Sequence, residues 1–329
     1  MERLRRHPRR MLLAALALAA AGVVLVAADA GFANVVDAAS PLRADWLVIA
    51  FGAQVLAFAG YTLAYRRIIA LLDGPRLGAA LVVRLVMTGF GAFAPGGGFA
   101  IDYQAVKALD GDERAATVRV LALGALEYLV IAPAACIAAA AMLVFGSDAR
   151  ASVLWPWAIA VPVGFAVGFW AATRNEDISR GRRGKVWRIL ADALAGVDVI
   201  RQMSLRPLRY LPALLGIAAY WGGEVISLWA CLRAVDVTVA LGPLIVGLAT
   251  GYALTRRSMP LAGAGITEAL LSFALLWVGV GLPSALVAVV IYRLLSFVLP
   301  MLPALWARQG VVHLIQPEEA AVSAEAGAG

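Results

Sequence analysis

Residues 93–102 read Phe-Ala-Pro-Gly-Gly-Gly-Phe-Ala-Ile-Asp and interrupt an otherwise apolar run. Pro95 removes a backbone donor, and Gly96, Gly97 and Gly98 remove the side chains that hold a helix together. In lipid an unpaired backbone group costs several kcal/mol, so irregular backbone persists only inside protein or beside water. A Pro-Gly break at membrane depth therefore points to a binding site.

The composition of the chain is that of a membrane protein. Of its 329 residues, 62% are hydrophobic and 15% are charged, whereas a soluble domain has about 25% charged residues. Apolar stretches of about 18–25 residues recur, and each is long enough to cross a bilayer as a helix. We therefore predict an all-α, polytopic integral membrane protein. The net charge of +7 comes from arginines in short loops, which mark topology, and we expect no nucleic-acid partner.

The scarcity of histidine excludes several classes of membrane enzyme. His7 and His313 are the two histidines of the chain, and both lie outside the predicted spans. A zinc protease of the His-Glu-x-x-His type, a Ser-His intramembrane protease and a lipid phosphatase with a histidine nucleophile are therefore excluded. The sequence also lacks a Gly-x-x-x-x-Gly-Lys-Ser/Thr loop, which argues against direct ATP hydrolysis. We expect no catalytic residue, no metal site and no cofactor.

Hydropathy and loop charge predict about eight transmembrane helices and one re-entrant hairpin. The basic segment 1–10 and the arginine-rich loop 173–209 indicate the cytoplasmic side. The stretch 77–109 begins and ends on that side with the Pro-Gly break in its middle. A re-entrant hairpin satisfies both constraints, and two short full spans are the alternative. The predicted spans are 11–30, 46–65, 120–145, 152–172, 211–232, 241–255, 266–280 and 285–306.

These spans define a membrane domain over 11–306 with the loop 173–209 inside it. The tail 307–329 is expected to be cytoplasmic and disordered. Both termini are then cytoplasmic, in the inner membrane of a prokaryote. Within the loop, apolar residues at helical spacing between Val186 and Val197 fit two interpretations. One is an amphipathic helix lying on the inner leaflet, and the other is a connector helix packing on the protein.

A second break resembles the first. It reads Ser-Met-Pro-Leu-Ala-Gly-Ala-Gly over residues 258–265 and is followed by Glu268, as Pro95 is followed by Asp102. Each break has a proline, then glycines, then a carboxylate at the start of a helix. Paired interruptions in two halves of a membrane protein are typical of repeat-built transporters, with the site between them. We therefore expect an internal repeat.

Charged residues inside apolar segments are the candidate site residues. Each costs about 2.5–3.5 kcal/mol at the bilayer centre if it faces lipid, so these side chains must point inward. In a functional interpretation Arg84 and Arg293 hold an anionic head group, and the carboxylates balance charge or carry protons. In a structural one they form salt bridges that orient helices, which we favour for Glu224. Two further arginines beside the second break either face the cavity or mark topology. The full set is Arg84, Glu127, Glu224, Glu268 and Arg293, with Arg256 and Arg257 beside the break.

The C-terminal motifs carry a family resemblance. The stretches 251–268, 279–283 and 288–302 resemble the membrane domain of lysylphosphatidylglycerol synthases and of their stand-alone flippase-like relatives. The resemblance covers about residues 10–310, and the first break with Asp102 is similar to the family's N-terminal motif. The chain departs from the family's motifs in two places. The second break has Pro-Leu-Ala-Gly in place of Pro-Gly-Gly, and the Asn that usually precedes the first Pro is missing. The residues that match are Pro260, Gly263, Gly265, Glu268, Tyr292 and Arg293, and Glu127 lies where the family often has an acidic residue.

The resemblance implies a lipid flippase or translocase. A head group of a membrane phospholipid or polyprenyl-linked lipid would cross through a groove lined by the two broken elements. Bifunctional members carry an aminoacyltransferase domain after the membrane part, and this chain is expected not to make lysyl-lipid itself. Two alternatives stay open. One is a membrane enzyme with Asp102, Glu127 or Glu268 as base, and the other is a non-catalytic partner of an envelope-building complex that docks through 173–209.

Overall fold

The structure is a computed structural model that describes residues 8–91, 97–175, 184–253 and 259–315, and every regular element in these ranges is helical. A 3-10 turn, Pro260–Gly263, precedes α11, and a π-helical turn, Leu294–Val298, joins α12 to α13. In chain order the α-helices are α1 Pro8–Ala30, α2 Phe32–Ala39, α3 Ala44–Ile69, α4 Ala79–Phe90, α5 Gly98–Asp110, α6 Glu113–Phe145, α7 Ala151–Thr173, α8 Lys185–Leu205, α9 Leu211–Ala234, α10 Leu241–Tyr252, α11 Ile266–Trp277, α12 Leu282–Arg293 and α13 Leu299–Ile315.

The fold class predicted from the sequence is confirmed. Within the described ranges, seven helical segments are long and apolar enough to cross a membrane. One of them reaches that length only with the 3-10 turn ahead of α11, in which Leu261 and Ala262 have left-handed φ angles of 52° and 54°. The segments are 10–30, 44–69, 113–145, 151–173, 211–234, 260–277 and 282–312.

Four short helices form two broken pairs. Helices α4 and α5, with 12 and 13 residues, flank the first break, and α10 and α11, with 12 residues each, flank the second. At 1.5 Å per residue each is about 18–20 Å long, well short of the ~30 Å hydrocarbon core. The expectation of a full span over 241–255 is therefore wrong, because α10 ends at Tyr252. We call the helix ends beside each break the tip of that pair.

The elements repeat in order along the chain. The first half has a long helix α3, the broken pair α4–α5 and a long helix α6. The second half has a long helix α9, the broken pair α10–α11 and the long segment α12–α13. This order supports the internal repeat that the paired breaks predict.

The first broken pair opens toward one end of the molecule. Arg119, in α6, donates hydrogen bonds to the main-chain oxygens of Leu71 at 2.9 Å and Leu72 at 2.7 Å, directly after α3. The same guanidinium pairs with Asp110 at the end of α5. The end of α3, the end of α5 and the beginning of α6 therefore lie together, and we call this end the Arg119 face.

The second broken pair opens toward the other end. The Arg150 N–H, ahead of α7, donates to the Trp277 oxygen at the end of α11 at 2.8 Å. The Arg43 N–H, ahead of α3, donates to the Ala234 oxygen at the end of α9 at 2.9 Å. We call this end the Arg150 face. Because α3 and α6 each run from one face to the other, the two pairs enter the fold from opposite faces.

Small residues bring α3 and α9 into close contact. A Cβ added to Gly60 would lie 2.5 Å from the Gly216 oxygen, and one added to Gly223 would lie 2.5 Å from the Ala53 oxygen. Close backbone approach of this kind gives transmembrane helices their van der Waals contact. Since α3 and α9 hold the same place in the two halves, the halves are joined along equivalent helices.

The loop 173–209 contains α8, which packs against α6 and α7. A Cβ on Gly196 would lie 3.0 Å from the Cβ of Leu121, and Asp192 is 3.3 Å from the Arg114 guanidinium. These contacts favour the connector-helix interpretation over a helix that only lies on the leaflet. The last helix, α13, continues to Ile315, beyond the expected end at Trp306.

Candidate functional site

The two tips meet α6 on adjacent turns near its middle. In the first turn of α5, the Phe99 ring lies 3.3 Å from where a Cβ on Gly124 would be. One turn further along α6, the Tyr128 hydroxyl donates to the main-chain oxygen of Ala253, the residue after α10, at 3.0 Å. The two pairs enter from opposite faces, and their tips contact α6 within one helical turn of each other. This is the geometry of a site between two repeats.

A buried ion pair lies beside the second tip. The Arg293 Nε donates to Glu268 Oε1 at 2.8 Å, and the side chains are 8% and 2% exposed. Glu268 is the third residue of α11, and its Oε2 accepts the Gly265 N–H at 2.6 Å. One carboxylate therefore caps the α11 N-terminus, where negative charge is favourable, and also holds Arg293.

Arg293 has unused hydrogen-bonding capacity. Its Nη2 is buried and has no partner within the described ranges. The guanidinium lies over the Phe297 ring, 4.2 Å from the ring centroid, and Phe297 belongs to the π-helical turn that follows Arg293. π-helical turns are frequent at functional sites. A planar guanidinium with free N–H donors matches a phosphate or carboxylate, so this arrangement can bind an anion.

A second polar layer fixes the helix that carries Arg293. The hydroxyl of Tyr292 donates to Glu224 Oε2, and the Gln54 amide donates to Glu224 Oε1 at 3.2 Å. The Tyr292 ring also contacts the Tyr252 ring at the second tip, with a centroid separation of 6.2 Å. Glu224 thus joins α9, α3 and α12, which agrees with the structural role favoured for it.

Glu127 lies on α6 between the turns that meet the two tips. Its Oε1 accepts the Tyr61 hydroxyl at 2.6 Å, and its main-chain oxygen accepts the Trp221 indole N–H at 2.7 Å. The Tyr61 ring packs edge-on against Phe90, the last residue of α4, with centroids 4.8 Å apart. Glu127 therefore connects to the first tip through Tyr61.

The first break is described from Gly97 onward. Gly97 has a φ of 78°, which favours glycine, and Gly98 begins α5. Asp102, one turn into α5, is fully buried. Pro95 and Gly96 lie outside the described residues, as do Arg256 and Arg257 at the second break.

The glycines of the second break adopt the conformations that their residue type permits. Pro260 begins the 3-10 turn, and Gly263 and Gly265 have φ values of 67° and 85°. Helix α1 crosses this turn closely, because a Cβ on Gly22 would lie 2.4 Å from the Gly265 oxygen. α1 therefore covers the second tip from the side.

Arg84 does not join this site. It lies on the exposed side of α4, and its Nη1 is 2.9 Å from where a Cβ on Gly310 would be. Gly310 is 17 residues beyond Arg293 in one helical segment, so the two arginines are separated by about 25 Å along the axis. The expectation that Arg84 and Arg293 hold one head group is wrong.

Sequence reasoning did not single out the aromatic donors of the site. Tyr61 contacts Glu127 and Tyr128 contacts the second tip. The available signal was a phenol hydroxyl inside an apolar span, since a buried tyrosine hydroxyl usually has a hydrogen-bond partner. In the same ranges, no group of three or more histidine, cysteine, aspartate or glutamate residues could hold a metal ion.

The chain was compared with known proteins. No curated protein matches it. Residues 12–304 match the family described as the lysylphosphatidylglycerol synthase TM region, and this match includes both breaks, Glu127 and the Glu268–Arg293 ion pair. The resemblance noted in the C-terminal motifs is therefore confirmed over almost the whole membrane domain, and the chain belongs to the lysylphosphatidylglycerol synthase TM region family.

Proposed function

We propose that the chain moves the head group of a phosphate-bearing membrane lipid between leaflets, with Arg293 as the phosphate-binding group. The observation that carries the proposal is the buried Nη2 of Arg293, which has no partner within the described ranges. Charged groups inside membrane proteins are rare and typically mark a substrate or ion pathway. The family, a membrane region of a lipid synthase, supports a lipid as the source of the anion.

In this proposal the two broken pairs are re-entrant elements. Each of their helices is about 18–20 Å long, shorter than the ~30 Å that a bilayer core requires, and the pairs enter from opposite faces. The Arg119 face is cytoplasmic, because the arginine-rich segments 1–10 and 173–209 adjoin helix ends on that side. The head group passes between the tips while the acyl chains stay in the bilayer.

Each residue of the ion pair has a distinct role. Arg293 binds and releases the phosphate, and Glu268 orients the guanidinium and balances its charge. Tyr292 and Glu224 hold α12 in place, so that the guanidinium does not rotate away from the tip. No covalent step is assigned. Phospholipids and polyprenyl phosphates both present the phosphate that this geometry fits.

The proposal is tested in proteoliposomes that contain a fluorescent phosphatidylglycerol, with dithionite bleaching to measure movement between leaflets. Arg293→Gln removes one charge-assisted contact worth about 1.5–3 kcal/mol, so the rate should fall about 10- to 100-fold. A fluorescent polyprenyl phosphate in a parallel preparation identifies the preferred lipid class.

The matched control is Arg201→Gln, which removes an arginine whose ion pair with Asp198 has the same 2.8 Å distance but is about a quarter exposed. This variant should move lipid at the wild-type rate. Wild-type movement by a folded Arg293→Gln protein, or no movement by the wild-type protein with either lipid, would refute the proposal.

A further inference from the structure

A cavity of about 750 Å³ lies at the Arg119 face, away from the ion pair. It opens between the end of α3, the turn that follows it, the end of α8 and the beginning of α9, and this volume is within the range of small-molecule sites. Arg67, Arg76 and Arg209 line it, and Asp73 is the one carboxylate among its lining residues. The lining therefore carries an excess of positive charge. In the described part of the chain none of these arginines forms an ion pair.

One wall of the cavity is held in a fixed conformation. Leu72 and Asp73 both have left-handed φ angles, of 54° and 56°. Such a conformation costs energy in a non-glycine residue and persists only where neighbouring groups enforce it. Arg119 enforces it here, because this buried side chain donates to the oxygens of Leu71 and Leu72. A Cβ on Gly74 would lie 2.7 Å from the Arg119 Nε, so the turn fits closely around that guanidinium.

The surroundings of the cavity favour a lipid over a soluble anion. Leu72, which lines it, is 56% exposed. Leu208 and Leu211, on either side of Arg209 and Tyr210 in the sequence, are 84% and 42% exposed. Exposed leucines beside arginines suit the boundary between head groups and acyl chains. A site for a water-soluble phosphate does not require them.

We infer that this cavity binds the phosphate of a phospholipid from the cytoplasmic leaflet, as a recruitment site separate from Arg293. Arg67, Arg76 and Arg209 supply the charge, and the exposed leucines contact the acyl chains. The choice of a phospholipid and of the cytoplasmic leaflet rests on the proposed function. The anion site itself rests on the cavity and its arginines.

The test uses a local reporter, so that lipid bound elsewhere does not dominate the signal. Gln202 lines the cavity and is exposed. An environment-sensitive fluorophore is attached to Gln202→Cys in the full-length chain with Cys136→Ala. Cys231 is fully buried and stays unlabelled in folded protein. The reporter is titrated in neutral detergent with dihexanoyl phosphatidylglycerol and, separately, with inorganic phosphate.

Two sets of substitutions are compared in this reporter protein. One replaces the three cavity arginines with glutamine, and the other is the double variant Arg66→Gln/Arg206→Gln. Arg66 and Arg206 are exposed at the same face but do not line the cavity. We expect the reporter signal to saturate with the lipid. The three substitutions together should weaken lipid binding about a hundredfold, since each arginine contributes roughly fivefold. The double variant should bind like the parent.

Besides the absence of a reporter response, three results would overturn the inference. The triple variant could bind as tightly as the parent, the Arg66/Arg206 variant could lose as much affinity, or inorganic phosphate could saturate the reporter at the same concentration as the lipid. A failure of the proposed function can be distinguished from a failure of this inference. A parent protein that moves no lipid but keeps arginine-dependent binding refutes only transport, whereas Arg293-dependent transport without a reporter response refutes only the recruitment site.

Discussion

The Glu268–Arg293 ion pair predicts an asymmetric effect of its two single substitutions on stability. Glu268→Gln keeps the shape of the side chain and one acceptor, but it leaves the Arg293 charge buried without a carboxylate partner in the described part of the chain. Breaking a buried pair in this way costs about 3–5 kcal/mol. Arg293→Gln should cost less, about 1–3 kcal/mol, because the remaining carboxylate still accepts the Gly265 N–H at the N-terminus of α11.

The double variant Glu268→Gln/Arg293→Gln removes both charges and should be more stable than Glu268→Gln alone. The measurement is thermal unfolding in detergent, where each kcal/mol corresponds to roughly 2 °C in a chain of this size. We therefore expect a fall of about 6–10 °C for Glu268→Gln, and a part of it recovered in the double variant. Under the proposed function, the double variant should move lipid about 10- to 100-fold more slowly than the wild-type protein, as Arg293→Gln does, since the proposed phosphate-binding cation is gone.

The control pair is Asp198 and Arg201, with the same 2.8 Å separation and 27% exposure on each side chain. Its single substitutions should each cost less than about 1 kcal/mol. The reasoning is refuted if the two Glu268–Arg293 substitutions add without coupling, or if Arg293→Gln is more destabilising than Glu268→Gln.

Two glycine substitutions test the close contacts. Gly22→Ala places a Cβ 2.4 Å from the Gly265 oxygen, so it should displace α1 from the second tip and lower the unfolding temperature. The control Gly52→Ala has no atom within 4 Å of its new Cβ and should leave the unfolding temperature unchanged. Equal unfolding temperatures for the two variants would contradict the close contact between α1 and the second tip. Gly74→Ala places a Cβ 2.0 Å from the Ile69 oxygen and should weaken lipid binding at the cavity in the reporter assay. In the control Gly78→Ala no atom lies within 4 Å of the new Cβ, so this variant should bind lipid like the parent. Equal affinities of the two variants would show that the turn does not shape the cavity.

The sequence identified the charged residues inside apolar segments, but it predicted neither the exposure of Arg84 nor which charged residues meet. Hydropathy identifies Arg84, Glu268 and Arg293 as charges within apolar segments, because transfer cost depends on the residue and its surroundings along the chain. It contains no information on the distance between two such residues. Glu268 and Arg293 are joined by an ion pair, while Arg84 lies about 25 Å away at the other end of the α12–α13 segment.

The length of α10 shows a second limit of hydropathy. The run 241–255 is apolar throughout its first part and looks like a full span, yet α10 ends at Tyr252. At this end Tyr252 packs on Tyr292, and the Ala253 oxygen accepts the Tyr128 hydroxyl. These partners are more than 35 residues distant in sequence, so no local window could indicate them. The interruptions between α4 and α5 and between α10 and α11, by contrast, were predictable because they involve proline and glycine, whose effects on the backbone are local.

The balance of charge at the tip also explains how a transport site could release its ligand. Glu268 neutralises Arg293, so a bound phosphate would make the site net negative, and binding stays weak enough for the head group to leave. Removal of the carboxylate charge should reverse this. In Glu268→Gln the phosphate becomes the counter-ion of Arg293, so dihexanoyl phosphatidylglycerol should raise the unfolding temperature of this variant more than that of the wild-type protein, by linkage between binding and folding. The Glu268→Gln/Arg293→Gln variant, which has no buried cation to neutralise, should lose that additional stabilisation. An equal stabilisation of all three proteins by the lipid would mean that the phosphate does not contact Arg293, and the site would then have to be sought elsewhere between the tips.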